Sequence, residues 1–203
     1  MSGLEARNLA CARGDVRLFR DVSFAAQAGE WVEVRGPNGS GKTTLLRGLA
    51  GLTRLEAGEV LWNGAPPRAD EFRADVLYAG HAAGVKDELT VEENLQVALA
   101  LRGITVQAGA FDEAIARVGL ARRRRLPARR LSAGQRRRIG MARLVLDPAP
   151  LWILDEPLTA LDADGEALFN ALLEQHVAAG RVAVIATHQP LAARPAREVR
   201  LGA

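Results

Sequence analysis

Residues 36–44 read GPNGSGKTT, which fits the pattern G-x-x-x-x-G-K-[ST] with Gly36, Gly41, Lys42 and Thr43 at its defining places. A loop with glycine at both ends can wrap backbone N–H groups around a β-phosphate. The run Gly36, Pro37, Asn38, Gly39, Ser40, Gly41, Lys42, Thr43 and Thr44 is therefore the candidate cradle for a nucleoside triphosphate. Lys42 would reach the β/γ oxygens, and the Thr43 hydroxyl would sit on Mg²⁺. A second acidic element follows the apolar run LWIL: Asp155, at the end of a buried strand, is the candidate to hold Mg²⁺ and its water. Glu156, one residue on, is the candidate to polarise the attacking water. A phosphate loop names the ligand class and not the job.

These residues need a scaffold, and the hydrophobic pattern supplies one. EWVEVRG before the loop alternates like a strand, and the apolar spacing from Thr43 to Leu52 predicts a helix after it. Upstream, LEARNLA, VRLF and DVSFAA are short strand-like pieces punctuated by Gly14–Asp15 and residues 27–29, which predicts a small β-rich layer. Further strands are expected over Glu59–Trp62 and Val76–Ala79. Residues 89–130 read as mostly helical, with Leu95, Leu99 and Leu101 on one stripe and Phe111, Ile115 and Val118 on another. A helix from about Gln135 to Leu146, the buried strand LWIL, a helix over Asp164–Val177 and the apolar strand VAVIA at 182–186 complete an alternating order that argues for a mainly parallel α/β core.

A chain of 203 residues with 48% apolar and 25% charged residues is large enough for a core of its own, as one domain or two small subdomains. Cys11 is its one cysteine, so an intramolecular disulfide is excluded, and a small apolar packing role suits it. The N-terminal stretch has no apolar signal-like region and no run approaches the length of a membrane span, so a cytoplasmic location is expected. The net charge of +3 is unevenly placed: Arg117, Arg122, Arg123, Arg124, Arg125, Arg129, Arg130, Arg136, Arg137 and Arg138 crowd one stretch. A solvated face, anionic headgroups and an acidic partner all remain open for it. Nucleic acid fits less well, because no aromatic residues interleave with the arginines to stack on bases.

LSAGQ at 131–135 resembles the signature motif of ABC ATPases. In its company LDEP at 154–157 is similar to the Walker B segment with its catalytic glutamate, TALD at 159–162 to the D-loop, and His188 to the switch histidine, a residue that alone would be a weak signal. The resemblance spans almost the whole chain. It implies a single domain over 1–203: an α/β P-loop NTPase core of ABC ATPase type with a small antiparallel β-subdomain (about 1–88 and 147–203) and a helical subdomain (about 89–146) carrying the signature. It also implies ATP and Mg²⁺ as cofactors, Glu156, His188 and Lys42 as catalytic residues, and a head-to-tail homodimer. In that dimer Ser132, Ala133, Gly134 and Gln135 of one protomer would complete the ATP site of the other. A serine hydroxyl, backbone N–H groups and a helix N-terminus suit a γ-phosphate.

Two positions depart from the family pattern. Where an aromatic residue usually stacks on adenine, the chain reads ARGD, which puts Arg13 in that slot, with Phe19 as a nearby alternative that also suits the core. At the Q-loop, where glutamine usually approaches Mg²⁺, the residue is His81, whose charge depends on pH. With WNG, GVK and LSAGQRRR, these departures resemble the ATP-binding subunits of cytochrome c maturation haem exporters. That likeness implies integral membrane permease subunits and haem-handling proteins as partners, no nucleic acid, and a peripheral place on the cytoplasmic face of the bacterial inner membrane. Another small exporter is the same-class alternative. A soluble ABC protein of translation or DNA repair is less apt, because such proteins carry two nucleotide domains or a long coiled-coil insertion.

Overall fold

The computed structural model describes residues 3–14, 16–80 and 84–202. The chain divides into two compact units, one comprising residues 1–81, 149–157 and 173–203 and the other residues 82–148 and 158–172.

The first unit holds two sheets. β1 (Gly3–Arg13), β2 (Val16–Gln27) and β4 (Ala57–Trp62) form an antiparallel sheet in the order β2-β1-β4. VRLF and DVSFAA, expected as separate pieces, are one continuous strand. Asp21 takes a positive φ of 53°, and the register shift beside it absorbs the polar interruption instead of ending the strand. The second sheet is parallel, ordered β5-β6-β7-β3-β8, with β3 (Trp31–Arg35), β5 (Val76–Ala79), β6 (Leu151–Asp155), β7 (Val182–Ala186) and β8 (Arg197–Arg200). β6 and β7 are buried at every position, which is why both read as unbroken apolar runs. β8, an exposed edge strand of REVR, carries no hydrophobic signal and was not expected.

Helix α1 (Lys42–Leu49) buries Leu45, Leu46 and Leu49 in this unit's core beside Val32, Val34, Ile153 and Val184. It is shorter than the apolar spacing predicts, because the chain turns at Gly51 with φ +70°. A further helix, α2 (Ala69–Asp75), follows Pro66 and Pro67 and was also unexpected.

The second unit contains α3 (Val91–Ala100), α4 (Ala110–Arg117), α5 (Ala133–Leu146) and the first part of α6 (Ala163–Ala178). Residues 89–130 are less helical than expected: an irregular stretch separates α3 from α4, and beyond α4 come two single 3₁₀ turns, Ala121–Arg123 and Ala128–Arg130. Leu95 and Leu99 are buried, but Leu101 is 84% exposed. Six positions beyond Leu95 is roughly 240° around a helix, so Leu101 never shared that stripe. On α4, Ile115 and the following Val118 are buried as expected, while Phe111 is half-buried. Asn94 braces the entry to α3, accepting from the Lys86 N–H at 2.7 Å and donating to the carbonyls of Lys86, Leu89 and Thr90.

Candidate active site

In the first unit, β3 runs into the loop that precedes α1. Gly41 stands at the helix start with φ +97°, a conformation in which a side chain would be strained and its Cβ would lie 3.0 Å from the Phe19 ring. The loop crown of Pro37, Asn38 and Gly39 is exposed, while the Lys42 side chain is buried and donates to the carbonyls of Gly36 at 2.7 Å and Pro37 at 3.2 Å. Ser40 Oγ is buried with no hydrogen-bond partner, and Thr43 and Thr44 stand in the first turn of α1, where N–H groups have no acceptor within the helix. An orphan hydroxyl, orphan N–H groups and an ammonium at one loop fit a polyphosphate.

Across the sheet, Thr43 Oγ1 donates to Asp155 Oδ2 at 2.7 Å, and Asp155 is only 2% exposed. Burial, followed by the Asp155 charge, raises the Tyr78 phenol above its ordinary range and keeps it neutral beside that carboxylate. Thr43 and Asp155 together offer two hard oxygen donors, which suits an Mg²⁺ that arrives with phosphate oxygens and retains waters. Among the described residues no three His, Cys, Asp or Glu side chains gather as an all-protein metal site.

Glu156 leaves the strand with φ +51°, its N–H donating to Ala186 O at 2.8 Å, so the chain is still pinned to β7 as it turns. Its carboxylate meets His188 twice, Oε1 at 3.4 Å from Nε2 and Oε2 accepting the His188 N–H at 3.4 Å. His188 is presented by a tight turn in which Gln189 N–H donates to Thr187 Oγ1 at 3.0 Å. Phe19, the alternative adenine stacker, is a 6%-exposed member of the core and is not available for stacking. Arg13 ends β1, its side chain outside what is described, and His81 lies outside the described residues.

The signature residues lie in the second unit. α5 starts at Ala133, two residues earlier than expected, because Ser132 and Gln135 form a capping box: Ser132 Oγ accepts the Gln135 N–H at 3.2 Å, and Gln135 Oε1 accepts the Ser132 N–H at 3.1 Å. A Cβ on Gly134 would stand 2.6 Å from Ala160 O, so only glycine fits there. Arg138, which the spacing did not single out, donates to Asp162 Oδ1 at 2.6 Å and to Val118 O at 3.1 Å. The Arg138 guanidinium, then the Gly165 N–H, hold the Asp162 carboxyl below the usual carboxylate range. Its position one helical turn beyond Gly134 was the signal available. Ser132, Ala133, Gly134, Gln135, Arg138 and Asp162 line a cavity of about 580 Å³.

The ABC transporter family profile matches residues 19–159. The chain belongs to that family. ABC transporter relatives include the cytochrome c biogenesis ATP-binding export protein CcmA of Nitrosomonas europaea, 48% identical over 93% of this chain and 89% of the relative. The protein of the same name from Vibrio cholerae is 46% identical over 98% of each chain. Among solved structures, an ABC transporter ATP-binding protein from Pyrococcus furiosus matches with a TM-score of 0.85 at 26% identity over 98% of both chains. This member of the ABC transporter family thus shares its α/β fold and its ATP-binding role with those relatives.

Proposed function

We propose that this ABC ATPase is the ATP-hydrolysing subunit of a membrane complex that exports haem, or releases it to a carrier, during cytochrome c maturation. The single observation that carries the enzymatic part is the 2.7 Å contact of Thr43 with Asp155, adjacent in sequence to a Glu156 already paired with His188. The likeness to export proteins of cytochrome c biogenesis supports the haem part.

Lys42 exchanges the carbonyls of Gly36 and Pro37 for β- and γ-phosphate oxygens, and the residues 36–44 hold the triphosphate through backbone N–H groups and the free Ser40 hydroxyl. Thr43 and Asp155, already in contact, are the residues that would hold Mg²⁺, and the ion would supply neutralisation of phosphate charge there. Glu156 orients the attacking water and takes its proton, with His188 fixing the carboxylate; the water oxygen bonds to the γ-phosphorus as the bond from that phosphorus to the β-phosphate oxygen breaks, and ADP and inorganic phosphate leave. By the family pattern Arg13 takes the place of the adenine-stacking residue and His81 that of the Q-loop glutamine. Two copies associate head to tail, so that Ser132, Ala133, Gly134 and Gln135 of one face the γ-phosphate held by the other. The Ser132 oxygen is used as the helix cap, which leaves its O–H free to donate. Residues 1–203 act as one ATPase domain, held peripherally on permease subunits at the cytoplasmic face of the inner membrane; no helix of the described residues is long and apolar enough to cross a membrane.

The test is complementation of a strain lacking this protein. The wild type is expected to restore haem-stained c-type cytochromes, and Lys42→Ala to restore none while still reaching the membrane. Normal cytochrome assembly without the protein would move the reading to another exporter.

A further inference from the structure

The arginine-rich stretch of the second unit is not consumed by the nucleotide chemistry. Its backbone is anchored from within: Leu120, Ala128 and Leu131 are buried, and residues 124–129 run alongside 87–92 through the bonds Glu92 N to Arg124 O, Val91 N to Leu126 O, Ala128 N to Leu89 O and Arg129 N to Asp87 O. The two 3₁₀ turns therefore carry their arginines on an anchored backbone.

Four nearby carboxylates are already engaged, and the exposed Glu88 forms no ion pair with these arginines among the described residues. Arg124 takes both Glu92 and Asp112, Arg136 takes Asp87 at 3.1 Å, and Arg138 takes Asp162. What remains outward is Arg122, Arg125, Arg129 and Arg130, all exposed; the guanidinium groups of Arg122, Arg129 and Arg130 meet no carboxylate among the described residues. Arg125 stands near Glu92, which Arg124 already grips.

Three occupants could neutralise these arginines. Single-stranded nucleic acid wants aromatic platforms, and residues 121–130 contain none. A protein partner wants a buried anchor such as Trp, Tyr or a large aliphatic side chain, yet between the arginines stand only Ala121, Leu126, Pro127 and Ala128, the leucine and proline half-buried and Ala128 fully so. A dense field of phosphates requires neither, only several guanidinium forks on a common surface. We propose that Arg122, Arg125, Arg129 and Arg130 form an electrostatic docking surface for anionic phospholipid headgroups. The surface is separate from every residue assigned to the nucleotide, so its failure and that of the ATPase reading are distinguishable.

Sedimentation with vesicles tests it. Full-length protein is mixed with phosphatidylcholine vesicles and with vesicles in which about one lipid in three is phosphatidylglycerol. The wild type is expected to bind only the anionic vesicles and to be released as salt rises from about 0.05 to 0.5 M. The fourfold variant Arg122→Gln/Arg125→Gln/Arg129→Gln/Arg130→Gln is expected to lose roughly a thousandfold in partitioning, with ATP hydrolysis in solution unchanged. A control that removes the same charge from the first unit, Arg20→Gln/Arg54→Gln/Arg68→Gln/Arg197→Gln, is expected to lose much less. If the fourfold variant does not fold, the pairs Arg122→Gln/Arg125→Gln and Arg129→Gln/Arg130→Gln are read in the same way, each with a fall of about thirtyfold. Wild-type protein that ignores anionic vesicles, a fourfold variant that binds as well as wild type, or an equal loss in the control overturns the proposal. Arginine-dependent co-purification with membrane proteins but no vesicle binding overturns it in favour of an acidic protein segment.

Discussion

The phosphate-loop unit and the signature unit prepare for an anion in different ways. In the first, side chains from separate connections are brought into contact: Thr43 reaches Asp155, Glu156 reaches His188, and Lys42 folds back on its own loop. In the second, main chain dominates. Ser132 and Gln135 cap a helix, Gly134 lies against the carbonyl of Ala160, and an ion pair, Arg138 with Asp162, fastens the segment beside an open cavity. On the proposed function, the first region breaks the bond and the second presents donors. Damage to the first should therefore cost chemistry, whereas damage to the second should cost the contact that turns binding into turnover.

The largest effect expected is at Glu156. Glu156→Gln keeps the shape and the polar contact to His188 but cannot take a proton, so kcat should fall between about a hundred- and ten-thousand-fold while ATP affinity stays within about threefold. ATP-loaded variant should then elute as a dimer on a sizing column. A monomer with normal turnover would erase the distinction between the two regions.

Gly134→Ala should have the next largest effect. The added methyl would meet the Ala160 carbonyl at 2.6 Å, so the signature segment must shift, with a stability cost of about 1–3 kcal/mol and at least about a tenfold loss of turnover. ATP binding by the isolated protomer, read by equilibrium titration, should be unaffected. A fall in nucleotide affinity equal to the fall in turnover would place Gly134 with the phosphate loop instead.

The smallest effect concerns stability and belongs to the first unit alone. His176 is buried with its ring stacked on Trp152 at 3.7 Å and one nitrogen 3.0 Å from Val182 O. Burial, reinforced by the Arg181 charge and opposed by the bond to Val182, pushes its pKa from 6.5 to about 4. Between those values the unfolded chain binds a proton that the folded chain refuses. Stability is therefore intact above pH 6.5 and falls as the pH drops towards 4, by up to about 3 kcal/mol. His176→Phe should flatten that slope in chemical-denaturation curves taken across the window, and an unchanged slope would assign the acid lability to other groups.

Much of this was legible in the chain. GPNGSGKTT and LWILDEP carry residue types whose chemistry is local, and LWIL and VAVIA are unbroken apolar runs, so the candidate residues and these two strands are legible in the sequence. The misreadings have physical causes. Leu101 reads as part of an amphipathic stripe with Leu95 and Leu99, but six residues of helix turn it to the other side. VRLF and DVSFAA were split at a polar residue that a positive-φ position carries without breaking the strand. The edge strand REVR has no apolar pattern because one of its sides is open, and the 3₁₀ turns of the arginine stretch repeat too briefly to leave a period.

By itself the sequence determined which residues could bind a triphosphate, that they belong to an alternating α/β chain, and that an ABC signature accompanies them. Those features are local: a loop, a strand end and a helix cap each depend on neighbours within a few residues. Only the tertiary structure decided that Thr43 touches Asp155, that Glu156 faces His188, that Phe19 is locked in the core and that Gly134 is pressed against Ala160. Those contacts join residues distant along the chain, and their geometry is set by strand order and helix packing, which no local pattern encodes. The same holds for the arginines. Composition announced their number, but only the folded unit decides which of them find carboxylates and which are left facing out.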